Sequence, residues 1–352
     1  MELRISTQDR QESHILAAYE SVIWQPSYNE PGTFSIVIDR QYYKYFKEDS
    51  IVEVGIDNMY QGLFEYMTDL DELDSQTVTI QGHFLTQILN RRVFTDYLDY
   101  DNIKLETFIN NMMAKTFLSS DPKRRMNFVV DYYPTSLKNL IVTVTSEPSD
   151  LLTLLYAVGQ EYEFGVNVFL DDNCVYHLQL YKGEDKTLGS KGTPIILSKD
   201  WDTAYQIIYT YSNENHKTFA YSVAGPDEDR RVYHIEAEDV SGLKRREVVF
   251  MSGIYLEEDM SDSAYRSQVE SEIKTMLLDY GVVELLECEI SDKYQYRSDI
   301  NIGDIVTVDS LSLGLEVSSR ILSAEEVWDK TGYTVSVSIG SSARLVRYIR
   351  RV

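Results

Sequence analysis

Apolar and polar residues alternate most regularly between residues 51 and 92. Val52, Val54 and Ile56 alternate with Glu53 and Gly55, and Val78 and Ile80 alternate with Thr77, Thr79 and Gln81, the period of half-buried strands. Asp57-Asn58 separates the first two apolar runs. Both residues tolerate the backbone angles of tight hairpins, so a turn is expected there. From residue 85 the period lengthens: Leu85, Ile88 and Leu89 share one face of a helix that ends near Arg92. The result is a β-meander that hands the chain to a helix. No residue in it is arranged for chemistry, and such an organisation suits an assembly protein better than an enzyme.

The same reading extends along the chain. Residues 1–65 are expected to be all-β, with strands near 3–5, over 21–26 and over 32–38, a turn at Asn29-Glu30-Pro31-Gly32 and a helical turn over 42–46. Residues 100–190 change in texture. Residues 105–114 carry apolar side chains at helical spacing, and a second helix places Leu151, Leu155, Val158 and Tyr162 on one stripe. Ser149 is a candidate cap for it, while Glu147 and Pro148 could equally open its first turn. A hairpin over 165–169 and 174–180 follows. Strands return over 207–211, 217–224 and 231–235; a helix spans 262–279, with Val269, Ile273, Met276 and Leu277 on one face. The last strands are 285–290, 302–308, 315–323 and 333–339. Helical pieces thus interrupt two β regions, one at each end, which points to two small barrels or sandwiches joined through inserted α+β material. The expected division is 1–98, first β-barrel region; 99–194, α+β insertion; 195–250, strands of the second region; 251–284, helical segment; 285–343, second β-barrel region; and 344–352, a basic tail.

The chain's 352 residues suffice for two to four domains. Its 43% hydrophobic and 26% charged residues are those of a folded, soluble protein. A net charge of -24 repels phosphate backbones and disfavours stable nucleic-acid binding. The N-terminal residues MELRISTQDRQES hold no apolar signal core, and no apolar run of about 18 residues would cross a membrane, so synthesis in a cytoplasm is expected. Tyrosine, with 27 residues against 12 Phe, fits strands and is also enriched in interface cores.

Candidate chemistry is sparse. His14, His83, His177, His216 and His234 occur singly, without HExxH or another ligand pair. Cys174 and Cys288 sit in no CxxC or nucleophile motif and are expected to be reduced thiols in β-rich cores. There is no GxSxG elbow and no phosphate loop. Residues 68–75 carry four carboxylates; they suit a calcium loop in ligand type but lack the EF-hand glycine and glutamate, and read better as a solvated hairpin tip. The expectation is no enzyme, no catalytic residues, no metal and no cofactor. Arg344, Arg347, Arg350 and Arg351 crowd the last nine residues without an acid. They are either a frayed basic tail or a docking segment for an acidic neighbour.

Several ordered pieces resemble the tail-hub, or tail-tip, family of siphophages infecting Gram-positive hosts. They are Gly62-Leu63-Phe64-Glu65; Val78-Thr79-Ile80-Gln81-Gly82 running into Leu89-Asn90-Arg91-Arg92; Gly242-Leu243-Lys244-Arg245-Arg246-Glu247; Ile302-Gly303-Asp304-Ile305-Val306-Thr307-Val308; and Gly332-Tyr333-Thr334-Val335. Gly82 reads as permitting a close turn between strand and helix, Arg91 and Arg92 as cations favoured at a helix C-terminus, and Gly303-Asp304 as a turn launching a strand.

The resemblance implies an α+β, mainly β fold similar to the baseplate hub of the T-even phages: two tube-protein-like antiparallel β-barrels with inserted α+β accessory domains. It implies a non-enzymatic homotrimer in the virion, at the tail tip. That trimer would join the tail-tube protein to tip, fibre or receptor-binding proteins, form part of the DNA exit channel and meet the host membrane only during ejection. Three chains would carry 3 × -24 = -72, so an acidic lumen is expected to repel passing DNA. Family members that carry wall hydrolases or carbohydrate-binding modules have long C-terminal extensions, whereas this chain runs only about a dozen residues past Ile339. The rival readings are a glycan-binding adhesin, a cell-wall hydrolase and the hub of a contractile injection device.

Overall fold

The computed structural model describes residues 1–55, 57–69, 76–225, 230–254, 260–277 and 280–340. It divides into two compact units. The first comprises Met1–Ile208 and Glu287–Ile339; the second is built on Tyr209–Leu286. Strands dominate, with short helices between them.

The largest sheet contains two sets of six strands. In chain order the first set is Leu3–Ser6, Ser21–Gln25, Thr33–Asp39, Ile51–Val54, Asp57–Asp69 and Thr77–Phe84. The second is Ile196–Leu197, Ala204–Ser212, Val283–Ile290, Ile305–Ser310, Leu315–Asp329 and Gly332–Gly340. Numbered within each set, both lie in the spatial order 2-3-6-5-4-1. The likeness extends to single bonds: Phe64 N–H donates to Ser50 O at 2.8 Å in the first set, and Ile321 N–H to Asp304 O at 2.8 Å in the second. One difference is that strand 1 pairs antiparallel with strand 4 in the first set and parallel in the second. Another is that the first set carries an extra strand, Ser13–Leu16, beyond strand 1. Among the described residues neither set closes into a ring.

The alternation that marked the strands is realised as burial. In Thr77–Phe84 every second residue is buried, including Val78, Ile80 and Phe84, each large apolar one worth about 2 kcal/mol of transfer free energy. Asp57 already pairs with Val54, so the chain turns before Asp57-Asn58 rather than on it. Gly82 likewise has a different task from the one expected. It sits inside the strand, opposite the Phe64/Tyr66 bulge, where a Cβ would lie 1.9 Å from Leu63 O. The glycine allows strand-to-strand approach, not a strand-to-helix turn.

Residues 85–181 form the insertion. Leu85–Arg91 is a 3-10 helix that buries Leu85, Ile88 and Leu89. Helix α1 (Leu105–Lys115) buries Leu105, Phe108, Ile109, Met112 and Met113, the i, i+3, i+4, i+7, i+8 stripe of a core-facing helix. Helix α2 (Leu151–Tyr162) is capped by Asp150, whose carboxylate accepts from Thr153 N–H at 2.9 Å, so Asp150 rather than Ser149 is the cap. The helices pack with a three-stranded sheet in which Phe128–Tyr133 and Gly165–Leu170 flank Tyr176–Tyr181.

The second unit pairs Phe219–Ala224 antiparallel with Arg231–Glu236 and parallel with Glu247–Met251. Helix α3 (Asp262–Leu277) covers this sheet. Its Tyr265, Val269 and Ile273 pack with Ala220 and Ala224; of the four positions foreseen on its stripe Val269 and Ile273 are buried, and Met276 and Leu277 are half-buried.

Candidate assembly surface

The buried polar groups are spent on holding the fold. Arg10 grips Glu53 with two bonds of 2.8 Å and donates to Leu170 O at 3.0 Å. Gln61 donates to both Glu53 and Leu170 O and accepts from Leu170 N–H, which ties the first strand set to the insertion. Asp304 is nearly fully buried and accepts from Glu184 N–H, Asn301 N–H and the Lys186 ammonium at 2.8–2.9 Å. At the same turn Gly183 and Gly303 meet backbone to backbone; a Cβ on Gly183 would come within 2.0 Å of the Gly303 carbonyl. In these clusters the Arg10 Nε–H is buried without an acceptor, while both its terminal nitrogens are bonded.

The histidines are dispersed as well. His83 contacts Glu65, His177 contacts Asp131 and Asp171, and His216 contacts Glu238, while His14 and His234 stack on Tyr45 and Phe219. Among the described residues no three His, Cys, Asp or Glu side chains gather as a metal site, and no helix is long and apolar enough to cross a membrane. Cys174 and Cys288 are free thiols; burial pushes the Cys288 thiol up to about 12. Residues 70–75 of the acidic turn, and Arg344, Arg347, Arg350 and Arg351, lie outside the described residues. Arg91 and Arg92 do more than face a helix end. Arg91 forms a two-bond pair with Asp49 at 2.6 and 2.9 Å, and Arg92 lies over the Phe117 ring.

The distinctive geometry lies along strand edges. The two sets join where strand 5 of the second, Leu315–Asp329, pairs antiparallel with strand 2 of the first: Glu326↔Trp24, Val327↔Ile23 and Trp328↔Val22. Tyr28 N–H to Leu322 O at 2.7 Å and Ala324 N–H to Pro26 O at 3.2 Å extend the seam. Beneath it Glu326 is fully buried. It accepts from Arg297 and, at 2.7 Å, from the Tyr333 hydroxyl, which burial holds well above its ordinary pKa.

Two corresponding edges have no strand beside them among the described residues. On strand 5 of the first set, the portion from Glu65 to Asp69 extends past its partner Ile51–Val54 and exposes Tyr66 and Met67. On strand 2 of the second set, which ends the sheet path, Tyr205 and Ile208 are about half exposed. Strand 204–212 reads AYQIIYTYS, with no charge, proline or glycine, the devices that normally protect an edge. This edge escaped sequence reasoning, although its signal was a charge-free run in an acidic chain. Tyr205 also borders a cleft of about 500 Å³ lined by Tyr296, Arg297, Glu289 and the stacked rings of Trp328 and Tyr333. In the second unit, the sheet face away from α3 exposes Val232, Val249 and Met251.

Comparison with known proteins gives this surface a setting. A family model described as siphovirus ReqiPepy6 Gp37-like protein matches residues 2–341. The chain belongs to that family. It is a structural protein of the phage tail, and so a component of the virion. No protein of curated function matches it. Three similar structures share its fold over nearly the whole length of both chains. The tail protein from Neisseria meningitidis MC58 has a TM-score of 0.57 at 11% identity, covering 96% of each chain. The prophage MuSo2 43 kDa tail protein from Shewanella oneidensis has 0.58 at 14%, covering 97% of this chain and 99% of the other. Prophage tail protein gp18 from Listeria monocytogenes EGD-e has 0.51 at 12%, covering 97% and 95%.

Proposed function

We propose that the chain is a non-enzymatic hub at the distal end of the tail. Three copies form a ring that joins the tail tube to tip, fibre or receptor-binding proteins and surrounds part of the DNA exit path. The observation that carries this reading is the repeated 2-3-6-5-4-1 strand order within one sheet. Two like strand sets, already joined edge to edge, let one chain stand in for two neighbouring subunits of a ring, so three chains present six like sets to a six-fold tube. A ring of three closes through heterologous contacts, each copy offering two different faces, and the two bare edges are two such faces. The net charge of -24 per chain suits a channel that lets DNA pass without holding it. The basic residues Arg344, Arg347, Arg350 and Arg351 serve in this reading as a docking segment for an acidic neighbour.

Mass by light scattering tests the proposal, on the full chain alone and mixed with its tail-tube protein. Three times the chain mass of 40.7 kDa is expected, with tube protein added in the mixture. A mass corresponding to one or two chains under both conditions would overturn the trimer.

A further inference from the structure

We infer that strand Ala204–Ser212 of one copy lies against residues 65–69 of a second copy, repeating between chains the seam that Ser21–Gln25 and Leu315–Asp329 make within one. This rests on the ring proposed above and names the surfaces that close it. Within the chain, strand 2 of the first set meets the far half of strand 5 of the second. Because the two sets share one strand order, the missing counterpart is strand 2 of the second set against the far half of strand 5 of the first. Those are the two bare edges.

An ion pair repeated in both sets carries the argument further. In the second set Arg297 pairs with Glu326, and in the first Arg40 pairs with Asp69 at 2.5 Å; in both, 29 residues separate the arginine from its acid. Each acid stands on the far half of strand 5. Under the internal seam the pair is enclosed, with side-chain exposures of 21% for Arg297 and 0% for Glu326. On the bare edge the equivalent pair stands open, at 34% for Arg40 and 38% for Asp69. The first set therefore carries the floor of a seam whose covering strand comes from elsewhere. The chemistry of the cover is apolar and β-forming: Tyr205 and Ile208 on one side meet Tyr66 and Met67 on the other, all four exposed in the single chain. Pairing removes both edges, as closure does for barrels.

Cysteine cross-linking in the full-length chain reads this contact. Cys174 is replaced by serine, and Cys288 is buried. Met67→Cys is combined in turn with Tyr205→Cys, Gln206→Cys, Ile207→Cys and Ile208→Cys. Mild oxidation is expected to give a ladder of two and three linked chains for at least one combination and none for Met67→Cys alone. Separately, Ile208→Lys is expected to reduce the mass to that of one chain, with the far-ultraviolet circular dichroism of the native protein retained. A trimeric mass with no ladder from any combination, and with Ile208→Lys still trimeric, overturns this pairing and leaves the trimer standing. A ladder limited to two chains supports the pairing and overturns the trimer. A monomer without a ladder, both alone and mixed with the tail-tube protein, overturns both.

Discussion

At the scale of single residues, the positions that matter most are those where backbone or charge has no room to move. Gly82 is one. Its neighbour Leu63 O occupies the space of a Cβ, and backbone cannot rotate aside as a side chain does. Gly82→Ala is expected to cost about 3 kcal/mol, at the upper end of overpacking penalties, measured by urea unfolding; a loss under about 0.5 kcal/mol would show that the strands separate easily. Buried tyrosines are another group. Burial raises Tyr28 and Tyr176 from 10 to about 12 and holds Tyr156 and Tyr181 well above 10. Their neutral forms are favoured in the folded chain, so this stability is fully present below pH 10 and is lost as pH rises through the folded values. Unfolding should therefore begin between pH 10 and 12 and coincide with the last fraction of tyrosinate absorbance, that of the enclosed rings. Complete tyrosinate formation in a still-folded chain would contradict the burial. The sequence showed an excess of tyrosine but not which rings are enclosed. It placed Gly82 correctly in a motif and misread its task, because close approach depends on the partner strand's bulge.

At the scale of elements, legibility followed periodicity. Helices α1, α2 and α3 carry clear 3.6-residue stripes and lie close to where the stripes put them. Strands such as Thr77–Phe84, with one buried face, were equally plain. Leu98–Lys104 was not foreseen. It reads LDYDNIK and buries only Leu98 outright, so it has no apolar face to read, and its place comes from pairing with Ile141–Ser146. Caps were legible to within one residue. Asp150→Ala is expected to lower stability by about 1 kcal/mol, while Ser149→Ala should change it by less than half as much. Equal losses would contradict the assignment of the cap. The order of strands was beyond sequence reading, because alternation says which face is buried and not which neighbour is paired. The two bare edges emerged only from that order.

At the scale of the molecule, the sequence already placed β regions at both ends and inserted α+β material between them, and the ordered motifs pointed to a tail hub. The repeat hidden in the two β regions appeared only in the pairing, since the sets differ in length, in the direction of strand 1 and in the segments inserted between their strands. A chain that duplicates one strand set and joins the copies edge to edge is built to act as two neighbours in a ring. End-on electron-microscope averages of the purified assembly test this most directly. Six similar lobes around a central opening, contributed by three chains, are the expected result. A closed ring with an odd number of lobes, or a particle without a central opening, would contradict it.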